Sequence, residues 1–462
     1  MTDLPTDLPP GLARFEPDRW LRATVLRPVG SADAEAAMLE TPAAALTGFS
    51  GEVGQVLATD GEVLVGVGDG AEPLALGAAA AQLREGDYRL VGTAGPMDAL
   101  GFALGAYRYD HYKTHPAPPT LVLPEEVSGD ALARLDRDVR AARLARDMVN
   151  TPTEEMGPRE VEAEVRAVAG EFGASVETIE GNALAEGFPL VHAVGRAAAT
   201  PPLLIDLRWG EAGPAVTLVG KGVCFDSGGL NIKGAKGMGL MKKDMGGAAN
   251  ALALARTIMA AGLRCRLRLL IPAVENAISG NAFRPGDVYR SRQGQTVEIS
   301  NTDAEGRLIL ADALAYAAEE APDRIVSLAT LTGAARVALG PDLPPLYSTD
   351  EAFAGAVRAA GAGAADPVWP MPLWPRYAEY LRSDIADVNH AADTPFAGSI
   401  TAALFLTRFV ADVPYTHLDI YAWTPSARPG RPKGGECVGV RALMGAIEAE
   451  CAAQGSRGCE AP

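Results

Sequence analysis

The sequence predicts an α/β fold in which a smaller N-terminal α/β domain is joined by a helix to a larger C-terminal domain with a central mixed sheet flanked by helices. Three observations predict it. From about residue 188 onward, apolar runs typical of buried strands alternate with helical patterns. A charged, amphipathic pattern precedes this region. The N-terminal part mixes short apolar runs with turns rich in Gly and Pro.

The N-terminal domain is predicted over residues 1–125. Apolar runs at 23–26, 63–67 and 88–91 predict short strands separated by turns. A proline-rich loop at 116–119 punctuates the end of this domain. It carries no grouping of residues that indicates chemistry, so its contribution to function is left open.

A connecting helix is predicted over residues 126–150. Apolar residues such as Leu132, Leu135 and Val139 recur at helical spacing with Arg and Asp between them. Pro158 then signals the first turn of another helix. The helix over residues 126–150 is therefore predicted to connect the N-terminal domain to the C-terminal one.

The C-terminal domain is predicted over residues 151–462. Strands are predicted at 203–207, 216–219, 267–271 and 325–328, and helices at 248–260 and 308–318. Strands that alternate with helices in this way favour a mostly parallel or mixed sheet with helices on both faces.

Composition excludes several classes of partner. The formal net charge of −17 argues against a nucleic-acid or anionic-membrane partner, because phosphate binding needs clustered Lys and Arg. No run approaches the ~20 apolar residues of a spanning helix, and the first residues do not resemble a signal peptide. The five cysteines are scattered and never in C-x-x-C spacing, which fits a reduced compartment. We expect a cytoplasmic protein.

The segment Asn301–Leu308 holds two carboxylates, Asp303 and Glu305, two residues apart. On an extended strand they would point to the same side, and Gly306 would let the chain turn away. Like charges held so close need a counter-charge such as a divalent cation. The same residues also suit the first turn of a helix. Alone, the segment is equally compatible with both structures.

A second group of polar residues lies upstream. The predicted strand 216–219 leads into a Gly-rich loop with Lys221, Asp226 and Lys233, and Asp244 precedes the helix at 248. Catalytic residues in α/β sheets gather at the carboxyl ends of strands. The spacing matches neither a P-loop nor a dinucleotide-binding motif. The five histidines are dispersed and form no H-E-x-x-H.

Taken together, the four carboxylates lie in Gly-rich loops beside predicted strands. An oxygen cluster of that kind can hold two divalent cations. A two-metal phosphoesterase is compatible with the carboxylates, but it gives no reason for the two lysines.

The chain resembles the leucyl (cytosol) aminopeptidase family of two-metal peptidases. The resemblance is carried by Asn-Thr-Asp-Ala-Glu-Gly-Arg-Leu at 301–308, by Gly-Lys-Gly-x-x-Phe-Asp-Ser-Gly-Gly at 220–229 and by Asp-Met-Gly-Gly-Ala-Ala at 244–249. It extends through 284–288, 329–334 and 417–420. It implies that residues 151–462 are a catalytic metallopeptidase domain that removes the N-terminal residue of peptides with a free N-terminus.

The resemblance also implies the metal ligands. Lys221, Asp226, Asp244 and Glu305 would hold one divalent cation, Zn²⁺ or Mn²⁺. Asp226, Asp303 and Glu305 would hold the other, with a water between the two ions as nucleophile.

Further residues receive roles by the same resemblance. Lys233 would polarise the scissile carbonyl, and Arg307 would hold a bicarbonate ion that acts as general base. The carbonyl of Leu331 would align nucleophile and substrate. The pocket for the first side chain would be lined by Met241, Thr330 and Gly333.

The resemblance leaves an alternative function and an open question about specificity. Some relatives act as DNA-binding or structural subunits, so a non-catalytic member of the family is the second hypothesis. The chain also departs from the family at Tyr421-Ala422-Trp423, where bulky aromatics either narrow the pocket or fill core. The preferred N-terminal residue is therefore left open. The family further implies a homohexamer.

Overall fold

The structure is a computed structural model that describes residues 7–41, 47–91 and 95–457. The chain divides into two compact units. The first contains the residues up to Arg143 together with Thr424–Gly434, and the second contains Leu144–Trp423 together with the residues from Gly435 onward. The division falls inside the helix Gly129–Asn150, in the place where the sequence predicts a connecting helix.

The first unit contains a six-stranded sheet with the strand order β1-β6-β5-β2-β4-β3. Its strands are β1 Leu12–Ala13, β2 Thr24–Gly30, β3 Val56–Ala58, β4 Glu62–Gly68, β5 Asp87–Leu90 and β6 Thr120–Val122. The apolar runs at 23–26, 63–67 and 88–91 fall in β2, β4 and β5, as predicted. All neighbouring strands are parallel except β3 and β4. The helices of this unit are Pro17–Arg22, Ala34–Glu40, Leu76–Ala80 and Pro96–Gly105.

The second unit is built on a nine-stranded sheet with the order β16-β15-β18-β14-β9-β11-β8-β7 and with β10 beside β11. Its strands are β7 Ser175–Ile179, β8 Leu203–Trp209, β9 Ala215–Gly220, β10 Gly222–Asp226, β11 Arg266–Asn276, β14 Arg324–Ala329, β15 Pro345–Ser348, β16 Trp369–Pro370 and β18 Tyr415–Asp419. The remaining strands are β12 Val288–Arg290, β13 Thr296–Glu298, β17 Val388–Asn389, β19 Trp423–Thr424 and β20 Gly434–Gly435.

Helices flank this sheet. They are Pro158–Phe172, Gly181–Gly187, Pro189–Gly195, Ala235–Met238, Gly246–Ala260, Glu305–Ala318, Gly333–Leu339, Glu351–Gly363, Gly398–Thr407 and Val440–Arg457. Short 3₁₀ segments cover Thr153–Glu155, Met241–Met245, Thr302–Ala304 and Pro375–Leu381. Within the described ranges, no helix has the length and apolar character needed to cross a bilayer.

The strand directions at the centre of the large sheet determine where polar residues gather. Strands β18, β14, β9 and β11 run parallel to one another, whereas β8 is antiparallel to β11. All six residues of β14 are buried, which is typical of a parallel strand covered on both faces. The predicted fold class, an α/β fold with a central mixed sheet flanked by helices, is confirmed. The parallel centre brings the carboxyl ends of several strands to one edge.

Candidate functional site

A cavity of about 830 Å³ opens at the carboxyl ends of the central strands. Lys221 directly follows β9, Asp226 ends β10 and Thr330 directly follows β14. Asp244 comes from the 3₁₀ segment that leads into the helix Gly246–Ala260. Because β9 and β14 are parallel, residues far apart in sequence lie next to each other at one edge of the sheet.

Three of the four predicted carboxylates meet in this region. Asp226, Asp244 and Glu305 are 2%, 3% and 1% exposed, and each offers an oxygen within 4.8 Å of the others'. Asp303 lies beside them and pairs with Lys233, which in turn lies 2.7 Å from Asp226 Oδ2. The upstream and downstream halves of the predicted site thus come together in space.

Lys221 supplies the first counter-charge. Its Nζ lies 2.7 Å from Asp244 Oδ2 and 2.9 Å from Glu305 Oε1, and it donates a hydrogen bond to the carbonyl of Thr330. Burial lowers the pKa of Lys221, but the surrounding carboxylates outweigh burial and raise it well above its ordinary value. Without a metal ion, Lys221 is therefore a cation inside the carboxylate cluster.

The carboxylates of the cluster have too few positive charges and hydrogen-bond donors around them. Burial, together with Asp226 and Asp244, raises the pKa of Glu305 to about 8 against the opposing effect of Lys221 and Lys233. Both Glu305 oxygens and Asp244 Oδ2 are buried and have no assigned hydrogen bond, although Lys221 Nζ lies at ion-pair distance from Asp244 Oδ2 and Glu305 Oε1. Buried oxygens that lack donors are what a hard divalent cation requires as ligands. The residues present therefore fit a metal centre.

Lys233 has different surroundings from Lys221. Burial lowers its pKa, but Asp226, Glu305 and Asp303 together raise it, so its ammonium stays charged. Its side chain is 16% exposed and lines the cavity, whereas that of Lys221 is 4% exposed. Lys233 is thus a cation within reach of a molecule in the cavity.

The segment Asn301–Leu308 begins a helix rather than forming a strand. Thr302–Ala304 is a 3₁₀ turn capped by the Asn301 side chain, and Glu305 opens the helix Glu305–Ala318. The extended alternative is therefore wrong, because the carboxylates are aimed by consecutive helical turns. Gly306 makes no turn: a Cβ there would lie 2.5 Å from Lys221 Cε, so glycine leaves room for that side chain.

The loop after β10 positions Asp226. Gly228, with φ of +86°, donates its N–H to Asp226 Oδ1 at 2.8 Å. Asn276 Nδ2, at the end of β11, donates to the same oxygen at 2.8 Å and to the carbonyl of Thr302 at 3.0 Å. Asn276 was missed by sequence reasoning. Its only signal was a polar residue at the carboxyl end of a strand.

Arg307 is 8% exposed and donates from one terminal nitrogen to the carbonyl of His390 at 2.9 Å. Its Nε is buried without a hydrogen-bond partner. Burial lowers its pKa to about 10, so the guanidinium is still charged at neutral pH. Arg307 retains capacity to bind an anion, and the structure places no protein carboxylate against it among the described residues.

The four residues predicted to contact substrate, Met241, Thr330, Leu331 and Gly333, all line the cavity. The hydroxyl of Thr330 also lies 2.8 Å from Asp244 Oδ1, so Thr330 orients a candidate ligand as well. Tyr421 lines the cavity too. Trp423 does not, so of the two aromatics only Tyr421 can act directly on a bound side chain.

Asp419, at the end of β18, holds the cavity loop in place. It accepts hydrogen bonds from the backbone N–H groups of Leu331 and Thr332 at 3.0 and 3.1 Å. It also accepts from the hydroxyls of Thr332 and Ser399. Asp419 had no role predicted from the sequence. Its position at the carboxyl end of a buried strand was the available signal.

Comparison with known proteins agrees with this geometry. The family model described as "Cytosol aminopeptidase family, catalytic domain" matches residues 143–444. Similar relatives include probable cytosol aminopeptidases from Roseiflexus castenholzii, 40% identical over 75% of this chain and 75% of the relative, and from Syntrophotalea carbinolica, 41% identical over 76% and 74%.

Solved structures agree as well. The cytosol aminopeptidase from Coxiella burnetii is 43% identical, has a TM-score of 0.89, and the match covers 95% of this chain and 99% of that one. The bottromycin maturation enzyme BotP in complex with Mn is 34% identical, with a TM-score of 0.82 and coverage of 93% and 100%. From its family match and from these relatives, the chain belongs to the cytosol aminopeptidase family and is an aminopeptidase, a metal-dependent hydrolase.

Proposed function

We propose that this enzyme removes the N-terminal residue from peptides with a free N-terminus, using two divalent cations. The observation that carries the proposal is the buried group of Asp226, Asp244 and Glu305, whose oxygens lie within 4.8 Å of one another. Two metal ions are also what members of this family depend on, and a structural relative is described in complex with Mn.

The cations would be held by Lys221, Asp226, Asp244, Asp303 and Glu305. When bound, they would supply a polarised carbonyl and a water of lowered pKa. Asn276 and Thr330 would keep the carboxylates in place through the hydrogen bonds described above. The carboxylate oxygens without donors support this assignment.

Lys233 would act as an electrophile that stabilises the negative charge developing on the carbonyl oxygen. It is charged, partly exposed and lines the cavity. Its present contacts with Asp226 and Asp303 are those of a cation that neutralises carboxylates. The proposed role requires those oxygens to turn to the metal ions, which frees the ammonium for substrate.

Arg307 would hold a bicarbonate ion that accepts a proton as general base. Its buried guanidinium, with an Nε that lacks a partner, supports the presence of a small anion at this position. The carbonyl of Leu331 would align the substrate, since Asp419 fixes the backbone of that loop.

Further features of the proposal follow from membership of the family. They are Zn²⁺ or Mn²⁺ as the cation, a cytoplasmic location and a homohexameric assembly. Sedimentation velocity tests the assembly, with a species of six subunits as the expected result.

The experiment that tests the activity is release of chromophore from aminoacyl p-nitroanilides with added Mn²⁺ or Zn²⁺. We expect cleavage that chelator abolishes and that an N-blocked substrate does not undergo. Equal cleavage of free and blocked substrates, or no cleavage with either metal, would contradict the proposal.

A further inference from the structure

Two cations surround one aromatic ring in the wall of the cavity. Lys243 Nζ lies 5.0 Å from the centre of the Tyr421 ring, and the Arg336 guanidinium carbon lies 4.8 Å from it. All three residues line the same cavity as the residues proposed to contact the first side chain of the substrate. The pocket for that side chain is therefore bordered by two positive charges.

Neither of these cations, the buried Lys243 and the exposed Arg336, forms an ion pair with a carboxylate among the described residues. Across residues 7–41, 47–91 and 95–457, neither Lys243 nor Arg336 lies within ion-pair distance of a carboxylate. Lys221 and Lys233, in the same cavity, each contact two carboxylates. Lys243 is 5% exposed, and Asp244, whose carboxylate lies beyond ion-pair distance, offsets only a part of the cost of burying its ammonium. A cation–π contact with Tyr421 compensates for only a part of that cost.

The chemistry of the three groups fits a short anionic side chain. Arg336 offers a planar pair of donors that matches a carboxylate, and Lys243 adds a point charge. The Tyr421 ring offers an apolar face to the methylene groups of the same side chain. A basic side chain would be repelled, and a neutral one would leave Lys243 buried without an anion.

We propose that Lys243 and Arg336 make this enzyme selective for peptides that begin with Glu or Asp over those that begin with the neutral isosteres Gln or Asn. This inference rests on the proposed function, because it assumes that the cavity binds the N-terminal residue. It also assigns a role to Tyr421, a position at which the sequence departs from the family.

The neighbouring residue Lys242 provides a matched control. It comes from the same 3₁₀ segment and lies 5.9 Å from the centre of the Trp423 ring, but it donates to the carbonyl of Asn150 and does not line the cavity. Lys242 and Lys243 therefore share residue type and aromatic contact and differ in access to the substrate.

The test compares kcat/KM for Glu, Gln and Leu p-nitroanilides in the Mn²⁺-loaded protein. Charge-assisted pairing predicts a Glu-to-Gln ratio of roughly 10 to 100. Lys243→Met and Arg336→Met should each lower that ratio about tenfold or more. Lys242→Met should leave the ratio unchanged.

The outcomes separate the two proposals. Cleavage of Leu with a Glu-to-Gln ratio of 1 or less, or a ratio that Lys243→Met and Arg336→Met do not alter, overturns the selectivity and leaves the activity intact. If no substrate is cleaved with any metal, the proposed function fails. Calorimetric binding of L-glutamate and L-glutamine then decides the selectivity, with tighter binding of glutamate expected and equal binding overturning it.

Discussion

Two parts of one cavity place cationic side chains in opposite surroundings. In the carboxylate cluster, Lys221 and Lys233 each contact two acidic side chains, and acidic oxygens still lack donors. Around Tyr421, Lys243 and Arg336 have no acidic partner among the described residues. The first region has an excess of negative charge and the second an excess of positive charge. This difference supports both proposals, that a divalent cation binds in the first region and that an anionic side chain binds in the second.

The largest expected effect comes from weakening the carboxylate cluster. Asp244→Asn removes one negative charge but keeps the shape and the contact with Thr330. We expect aminopeptidase activity to fall at least about 1,000-fold, because a bound metal contributes several kcal/mol to catalysis. Bound metal, measured by elemental analysis after gel filtration, should also decrease. Full activity together with full metal content would show that Asp244 is not a ligand.

A smaller loss of activity is expected from Lys233→Ala. Removing one donor to a developing oxyanion costs roughly 100- to 1,000-fold in turnover. Metal content should change little, because Lys233 is not a proposed ligand. The measurement is kcat together with metal stoichiometry. Unchanged turnover would remove the electrophile role, and a parallel loss of metal would assign Lys233 to the metal centre instead.

Stability separates the two regions directly. In metal-free protein, Lys221→Met leaves buried carboxylates unpaired and should lower the free energy of unfolding by about 3–5 kcal/mol. Lys243→Met removes an unpaired buried charge and should be neutral or stabilising by about 1 kcal/mol. Urea unfolding with chelator present measures both. A similar large loss in both variants would mean that Lys243, like Lys221, has a stabilising acidic partner, which would contradict the difference between the two regions.

The smallest effect concerns a buried group outside the cavity. Burial lowers the pKa of His417 to about 3, and its Nδ1 lies 2.8 Å from Ser327 Oγ. The unfolded chain binds a proton near pH 6.5 and the folded one does not, so stability present above pH 6.5 is lost as the pH falls towards 3. Between pH 7 and pH 6, His417 should account for a loss of about 0.7 kcal/mol in the free energy of unfolding.

The measurement is urea unfolding of the wild-type protein and of His417→Gln at both pH values. The variant should lose less stability than the wild type over this step. An identical pH dependence would mean that His417 is protonated in the folded state. Experiments on the metal centre at pH 7 or above are therefore little affected by the titration of His417 in the unfolded chain.

Sequence alone predicted the carboxylates because charged residues in Gly-rich loops after apolar strands carry a clear pattern. It left the backbone at Asp303 and Glu305 open, because i, i+2 spacing suits a strand and a helix start equally, and the structure shows the helix start. It also gave Gly306 the wrong role, since the approach of Lys221 depends on tertiary packing.

Other residues could not be found from sequence for related reasons. Asn276 acts through a hydrogen bond to Asp226 across 50 positions of the chain. Lys243 and Arg336 look like ordinary surface cations in sequence, and only the fold brings both to the ring of Tyr421. Apolar periodicity specifies strands and helices, but it carries no information about which polar side chains meet.

An anomalous-difference map from crystals grown with Mn²⁺ would locate the bound cations. We expect two peaks within coordination distance of the carboxylates of Asp226, Asp303 and Glu305, one of them also contacting Asp244. Peaks elsewhere in the protein, or none at these carboxylates in Mn²⁺-activated enzyme, would contradict this expectation.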